Sequence, residues 1–294
     1  MKEEEISKLK QAGEIAKKVK ELAREIAKKG TPLLEIANKI DEKITELGGK
    51  SAFPVNLSIN EIAAHATPTH DDKTLAHGLL KIDIGVHIDG YVADTAFSID
   101  LENSEENKKI IETAEEALKS ALEVTNYRKE LAEIGNAIEK KIKSRNLQPI
   151  INLSGHSIGR YDLHAGITIP NYDNGQDHEL EEGTYAIEPF VTTGAGRVIN
   201  GKPSGIYVVE NEGQVRDSFA REVLKHILKE YQTLPFCSRW LVKKFGSRAL
   251  IALKRLEEAR ILHQYPQLIE KERKPVAQAE HTIIITKKEK IVTT

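Results

Sequence analysis

An α+β fold, laid out as two successive helix-helix-strand units about a pseudo-twofold axis, is what this 294-residue chain predicts. Three observations predict it. Helical periodicity comes in pairs, over residues 3–29 and from Thr31 to Gly48, then over 105–126 and 130–145. Each pair precedes runs that read as strands. A helix-rich stretch between Gly213 and Pro275 then interrupts the pattern before one last strand.

Taken in order, Ile6, Leu9, Ile15, Val19, Leu22 and Ile26 recur at helical spacing until Gly30 ends the run. Thr31-Pro32 reads as an N-cap followed by proline at the first helical position, and Gly48-Gly49 stops the second helix. From Lys81 to Ala96 the chain alternates around Asp89-Gly90, a hairpin turn signal. A loop centred between Ile88 and Asp89 sets Asp83 opposite Asp94 on one face, the two backbones roughly 5 Å apart. Ile82, Ile84, Val86, Val92 and Ala93 predict that this hairpin is buried, where two unpaired carboxylates repel each other unless a cation lies between them. From the hairpin alone, two solvated surface acids explain the pattern equally well.

The second helix pair leads to strand-like runs that carry further residues of ligand type. His156 follows Ile150 to Gly155, Glu188 lies in Thr184 to Val191, and Glu280 opens the run to Thr286. Singly, each has an ordinary explanation. Together with Asp83 and Asp94 they make four carboxylates and one imidazole, an oxygen-rich set suited to two divalent ions rather than to a structural zinc cage. Two successive units place such a site at the junction of the halves.

Composition narrows the setting. Lys and Arg number 43 against 45 Asp and Glu, so overall charge names no partner. Cys237 is the single cysteine, which excludes an intrachain disulfide and fits a reducing compartment. No apolar run approaches the roughly 20 residues that span a bilayer. The acidic start at Glu3-Glu4-Glu5 is unlike a secretory signal, and the expected location is the cytoplasm. Between Gly213 and Pro275, 14 basic residues stand against 7 acidic ones, about +7, a basic patch if clustered. The division expected is a catalytic part, 1–213 with 276–294, and an inserted helical part, 214–275.

At five places the chain resembles the type II methionine aminopeptidases of peptidase family M24, in particular the archaeal ones. The segments are Ala63-Ala64-His65-Ala66-Thr67-Pro68, the Asp83–Asp94 hairpin, Ser154-Gly155-His156 through His164-Ala165-Gly166, Ala186-Ile187-Glu188-Pro189-Phe190, and Gln278-Ala279-Glu280-His281-Thr282. The similarity runs from about residue 5 to the C-terminus. It implies the pita-bread fold, with the insertion as a winged-helix-like subdomain, and Asp83, Asp94, His156, Glu188 and Glu280 as ligands of two divalent ions, which cobalt, manganese, iron or zinc could supply. It further implies His65 and His164 as substrate-facing histidines that bond the scissile carbonyl or oxyanion, Glu188 as proton carrier, and Phe53 and Leu163 in the methionine pocket. Ser157 and Ala66 depart from the glycine and the aromatic residue common at those places.

The implied activity is hydrolytic removal of an initiator methionine that precedes a small residue, from peptides and nascent proteins, by a monomer. The basic insertion then suggests contact with ribosomal RNA, against the simpler reading of a solvated face that shapes the cleft. Two alternatives remain: a prolidase or aminopeptidase P acting on Xaa-Pro peptides, and a non-catalytic relative that binds RNA or protein.

Overall fold

A computed structural model describes residues 1–294. The expected helix pairs are present as α1 (Glu3–Ile26) with α2 (Leu33–Glu46), and α3 (Glu105–Val124) with α4 (Leu131–Ser144). In α1 the Glu5 carboxylate accepts the Lys2 backbone N–H at 2.8 Å, satisfying a donor at the helix start. The entry to α2 differs from expectation. Pro32, with extended rather than helical ψ (131°), is the N-cap, Thr31 lies outside the helix, and no side chain caps it, because proline carries no side-chain acceptor. The stop is as expected: Gly48 at φ 83° and Gly49 donate back to Thr45 and Ile44 carbonyls.

Each pair covers a sheet. Ala12, Ala16 and Val19 of α1 and Ile36 and Ile40 of α2 pack on Ile82, Ile84, Val86 and Ala93 of the hairpin formed by strands Leu79–Ile88 and Tyr91–Asp100. Ile110 and Ala114 of α3 and Ile134 and Ile138 of α4 pack on Tyr185, Ile187, Ile283 and Ile285 of a five-stranded antiparallel sheet. Burying one stripe of each helix this way leaves the opposite sheet faces free to meet each other.

The hairpin register is corrected by two residues. Asp89 (φ 51°) and Gly90 (φ 84°) both take left-handed backbone and form a two-residue turn, so Ile88 pairs with Tyr91. Asp83 therefore pairs with Ala96 and Asp94 with Gly85. A shift of two keeps both aspartates on one face, now as diagonal rather than direct neighbours.

Glu188 and Glu280 stand just outside their strands. Glu188-Pro189 separates strand Gly183–Ile187 from Phe190–Thr192, and Ala279-Glu280 separates Val276–Gln278 from His281–Ile285. Pro189 has no N–H to continue a ladder. At these breaks the chain crosses between sheets, and side-chain rungs take over the pairing. Thr282 Oγ1 accepts from the Asp94 N–H (2.7 Å) and donates to the Asp94 carbonyl (2.8 Å). Thr95 donates to the Glu280 carbonyl, and Ser98 exchanges two bonds with the Gln278 backbone. This polar seam joins the first half to the second.

The helix-rich stretch contains α5 (Ser218–Glu230), α6 (Ser238–Phe245) and α7 (Arg248–Glu258), packed around a separate cluster that includes Val223, Ile227, Leu241, Leu253 and Leu256. After α7 the chain returns as strand Leu262–Glu270, which pairs antiparallel with Val198–Val209 and with Ile62–Ala64. No helix is long and apolar enough to cross a membrane.

Candidate metal centre

Asp83, Asp94, His156, Glu188 and Glu280 all line one cavity of about 350 Å³, and His65, His164, Phe53 and Leu163 line it too. The hairpin supplies the aspartates, strand Ser154–Ile158 supplies His156, and the two strand breaks supply the glutamates. His156 Nε2 lies 3.8 Å from Asp94 Oδ2 and 3.6 Å from Glu188 Oε1. One donor atom each from Asp94, His156 and Glu280 falls within 4.8 Å of the others. These separations suit ligands of a common ion better than hydrogen bonds.

The electrostatics agree. Burial pushes the Asp83 carboxyl up to about 7. Burial, and then the neighbouring acids, hold Asp94, Glu188 and Glu280 well above the usual carboxylate range. Burial lowers His156 to about 3, so its imidazole is neutral and can ligate. Asp83 Oδ1 and Asp94 Oδ1 are buried without any hydrogen-bond partner. Four carboxylates, two of them with orphaned oxygens, carry when ionised a charge that two divalent ions cancel, and this donor chemistry fits the inferred pair of ions.

Around the acids stand residues with roles the sequence did not reveal. Gln278 Nε2 lies 3.3 Å from Glu188 Oε2 and 3.5 Å from Glu280 Oε2, bridging the two glutamates. Its place two residues before Glu280 is a period-two signal that could have marked it. Tyr265 lines the cavity and stands 5.2 Å from the His65 ring. No local signal marks Tyr265, because its position depends on the return of strand Leu262–Glu270.

His65 has a constrained geometry. Its backbone is left-handed (φ 57°), a conformation in which a non-glycine residue is strained. Its Nδ1 lies 3.3 Å from the Pro266 carbonyl, and burial lowers its pKa to about 4. A carbonyl can only accept, so the single proton of the neutral ring sits on Nδ1 and Nε2 keeps its lone pair. In that tautomer Nε2 is an acceptor, which differs from the oxyanion-donor role expected from the sequence. His164 stands 4.5 Å from the His156 ring and is exposed at the cavity mouth.

Comparison with known proteins identifies the family. The model of metallopeptidase family M24 matches residues 7–287. A methionine aminopeptidase of Pyrococcus abyssi is 51% identical over 295 residues, covering 99% of each chain. Among solved structures, a thermophilic Arx1 superposes with a TM-score of 0.86 at 17% identity, covering 100% of this chain and 91% of that one. The methionine aminopeptidase of Thermotoga maritima superposes at 0.73 and 21% identity, covering 100% and 98%. These two likenesses establish the fold, which is pita-bread. With a family match over most of its length and half its residues shared with a curated relative, the chain belongs to metallopeptidase family M24.

Proposed function

We propose that this protein is a methionine aminopeptidase that removes the N-terminal methionine of peptides and proteins whose second residue is small. The observation that carries this reading is the convergence of four acids and one neutral histidine from both halves at the floor of a cavity walled by Phe53 and Leu163. Asp83, Asp94, His156, Glu188 and Glu280 would hold two divalent ions. Bound there, the ions supply Lewis acidity, which polarises the scissile carbonyl and makes water a nucleophile near neutral pH.

The chain's own residues divide the remaining work. Phe53 and Leu163 receive the apolar methionine side chain. His65 accepts the N–H of the scissile peptide bond through Nε2, which orients that bond in the cavity. His164, at the mouth, donates to the oxygen on which negative charge develops, an effect of roughly 3 kcal/mol for a well-placed donor. Glu188 takes a proton from the attacking water and returns it to the leaving amine.

Residues 1–213 with 276–294 form the catalytic part in this reading, and 214–275 the insertion. Pro235 and Tyr265 of the insertion line the cavity, so its direct role is to shape the cleft. A monomer working in the cytoplasm belongs to the same proposal. The surplus of basic residues in the insertion adds affinity for ribosomal RNA, expected as cosedimentation with ribosomes that weakens as salt rises; salt-independent or absent cosedimentation contradicts it. The activity is tested by assaying Met-Ala-Ser and an Xaa-Pro dipeptide side by side, with metal content measured in the same samples. Cleavage of Met-Ala-Ser is expected, with two bound ions per chain. Turnover of the Xaa-Pro dipeptide alone would instead make this a prolidase.

A further inference from the structure

Lys81 is the largest of the fully buried side chains, with 1% of its surface exposed. An amine in the core is costly unless bonded, and methionine would fill similar space without that cost. Here Nζ donates to two main-chain carbonyls, Asn60 at 2.9 Å and Val276 at 2.7 Å. Asn60 forms the left-handed turn (φ 49°) between strands Asn56–Ile59 and Ile62–Ala64, and its carbonyl also accepts the Val276 N–H at 3.1 Å. One amino group thus gathers three separate segments. Each leads directly into the cavity: Lys81 stands two residues before Asp83, Asn60 five before His65, and Val276 two before Gln278 and four before Glu280. By strand alternation Asp83 shares a sheet face with Lys81, and Gln278 with Val276.

The geometry points to Lys81 as a positioning residue: its amino group ties the strand of Asp83 to the strand that leads into Gln278 and Glu280, so that acids from distant parts of the chain face the same ions. This rests on the ligand set proposed above. Lys81 touches neither substrate nor ion, and it acts through the strands it joins.

The test is calorimetric titration of the metal-free protein with Mn²⁺, on wild type and Lys81→Met, at a temperature where circular dichroism shows both folded. Loss of the tether is expected to weaken Mn²⁺ binding about tenfold or more, as removal of outer-shell support does. The KM for Met-Ala-Ser at saturating metal should change by less than about twofold, because the pocket wall is untouched. Lys81→Ala supplies the second arm. Ethylammonium fits the space left by the side-chain end and should restore Mn²⁺ affinity in a saturable way, whereas tetraethylammonium should not. Wild-type Mn²⁺ affinity in Lys81→Met overturns the inference. If Lys81→Met does not fold, Lys81→Ala decides: ethylammonium that restores the fold without the affinity, or restores neither, also overturns it. Failure of the wild-type protein to bind Mn²⁺ would count against the proposed ligand set instead.

Discussion

Asp83, Asp94, Glu188 and Glu280 share a space in which none can ionise cheaply without a counter-charge, and this sets an unusual pH response. A carboxyl whose folded pKa is raised binds a proton more tightly in the native state. The stability it contributes is full below about pH 4 and is lost as pH climbs through the folded value, which for Asp83 is about 7. Buried histidines work with the opposite sign. His65, His87 and His281, lowered to about 4, and His156, lowered to about 3, contribute stability above about pH 6.5 that is lost as pH falls. Above about pH 6.5 the acids still lose stability, while Lys81 and Lys20, whose amines burial lowers to about 7 and about 8, gain it as pH rises, so the acids are read from the difference between metal-loaded and metal-free protein. Metal binding displaces the carboxyl protons, so the Tm gap between loaded and chelated protein should widen between roughly pH 6.5 and 8. Scanning calorimetry with and without EDTA checks this, and a gap that narrows with pH contradicts it. His164→Ala probes the mouth of the site. It should lower kcat by about 10²–10³ and leave metal content unchanged, as read by steady-state kinetics alongside elemental analysis.

The Asp83–Asp94 hairpin is the element on which the site depends, and its glycines show how tightly it is packed. A Cβ on Gly85, the partner of Asp94, would lie 2.3 Å from the Phe53 ring. Gly85→Ala should push Phe53 into the pocket, raise KM for methionyl peptides more than it lowers kcat, and cost about 1–3 kcal/mol by urea unfolding. An unchanged KM would mean that Phe53 is not the pocket wall. Periodicity made the two helix pairs and this hairpin legible in the sequence, because each buries a single stripe or face. The register was not legible: whether Ile88-Asp89 or Asp89-Gly90 occupies the turn depends on backbone angles that the sequence does not specify. The break at Glu188-Pro189 was hidden for a related reason, since it lies inside a run, Thr184 to Val191, that reads as one strand, whereas Glu280 was read as opening its strand and stands one residue before it. Strand Leu262–Glu270 was obscured by Pro266 and by His263, Gln264 and Gln267, which disguise its alternation inside a stretch otherwise helical in character. Its concealment also explains why Tyr265 was missed.

Across the whole molecule, two helix-covered cores stand on either side of a polar seam, and the ligand-type residues come from both. All five stood out in the sequence as acids or an imidazole in or beside strand-like runs, the resemblance to the family made them a proposed ligand set, and the structure brings them to one cavity. What the sequence could not convey is that the seam is built of exchanged hydrogen bonds, Thr282 with Asp94, Thr95 with Glu280 and Ser98 with Gln278, rather than a continuous ladder. Ions bridging this seam would add a staple to the apolar clusters, such as Phe53 and Val92 with Ile158 and Ala186, that also join the halves. A ligand that binds only the folded state stabilises it by about 2.7 kcal/mol at one hundred times its Kd. Chelation should therefore loosen the seam selectively. In hydrogen exchange, residues 91–100 and 276–285 should lose protection when EDTA is added, while α5 and α7, packed around their own cluster, should exchange as before. Equal loss of protection in α5 and α7 would mean that the ions stabilise the chain as a whole rather than the junction of its halves.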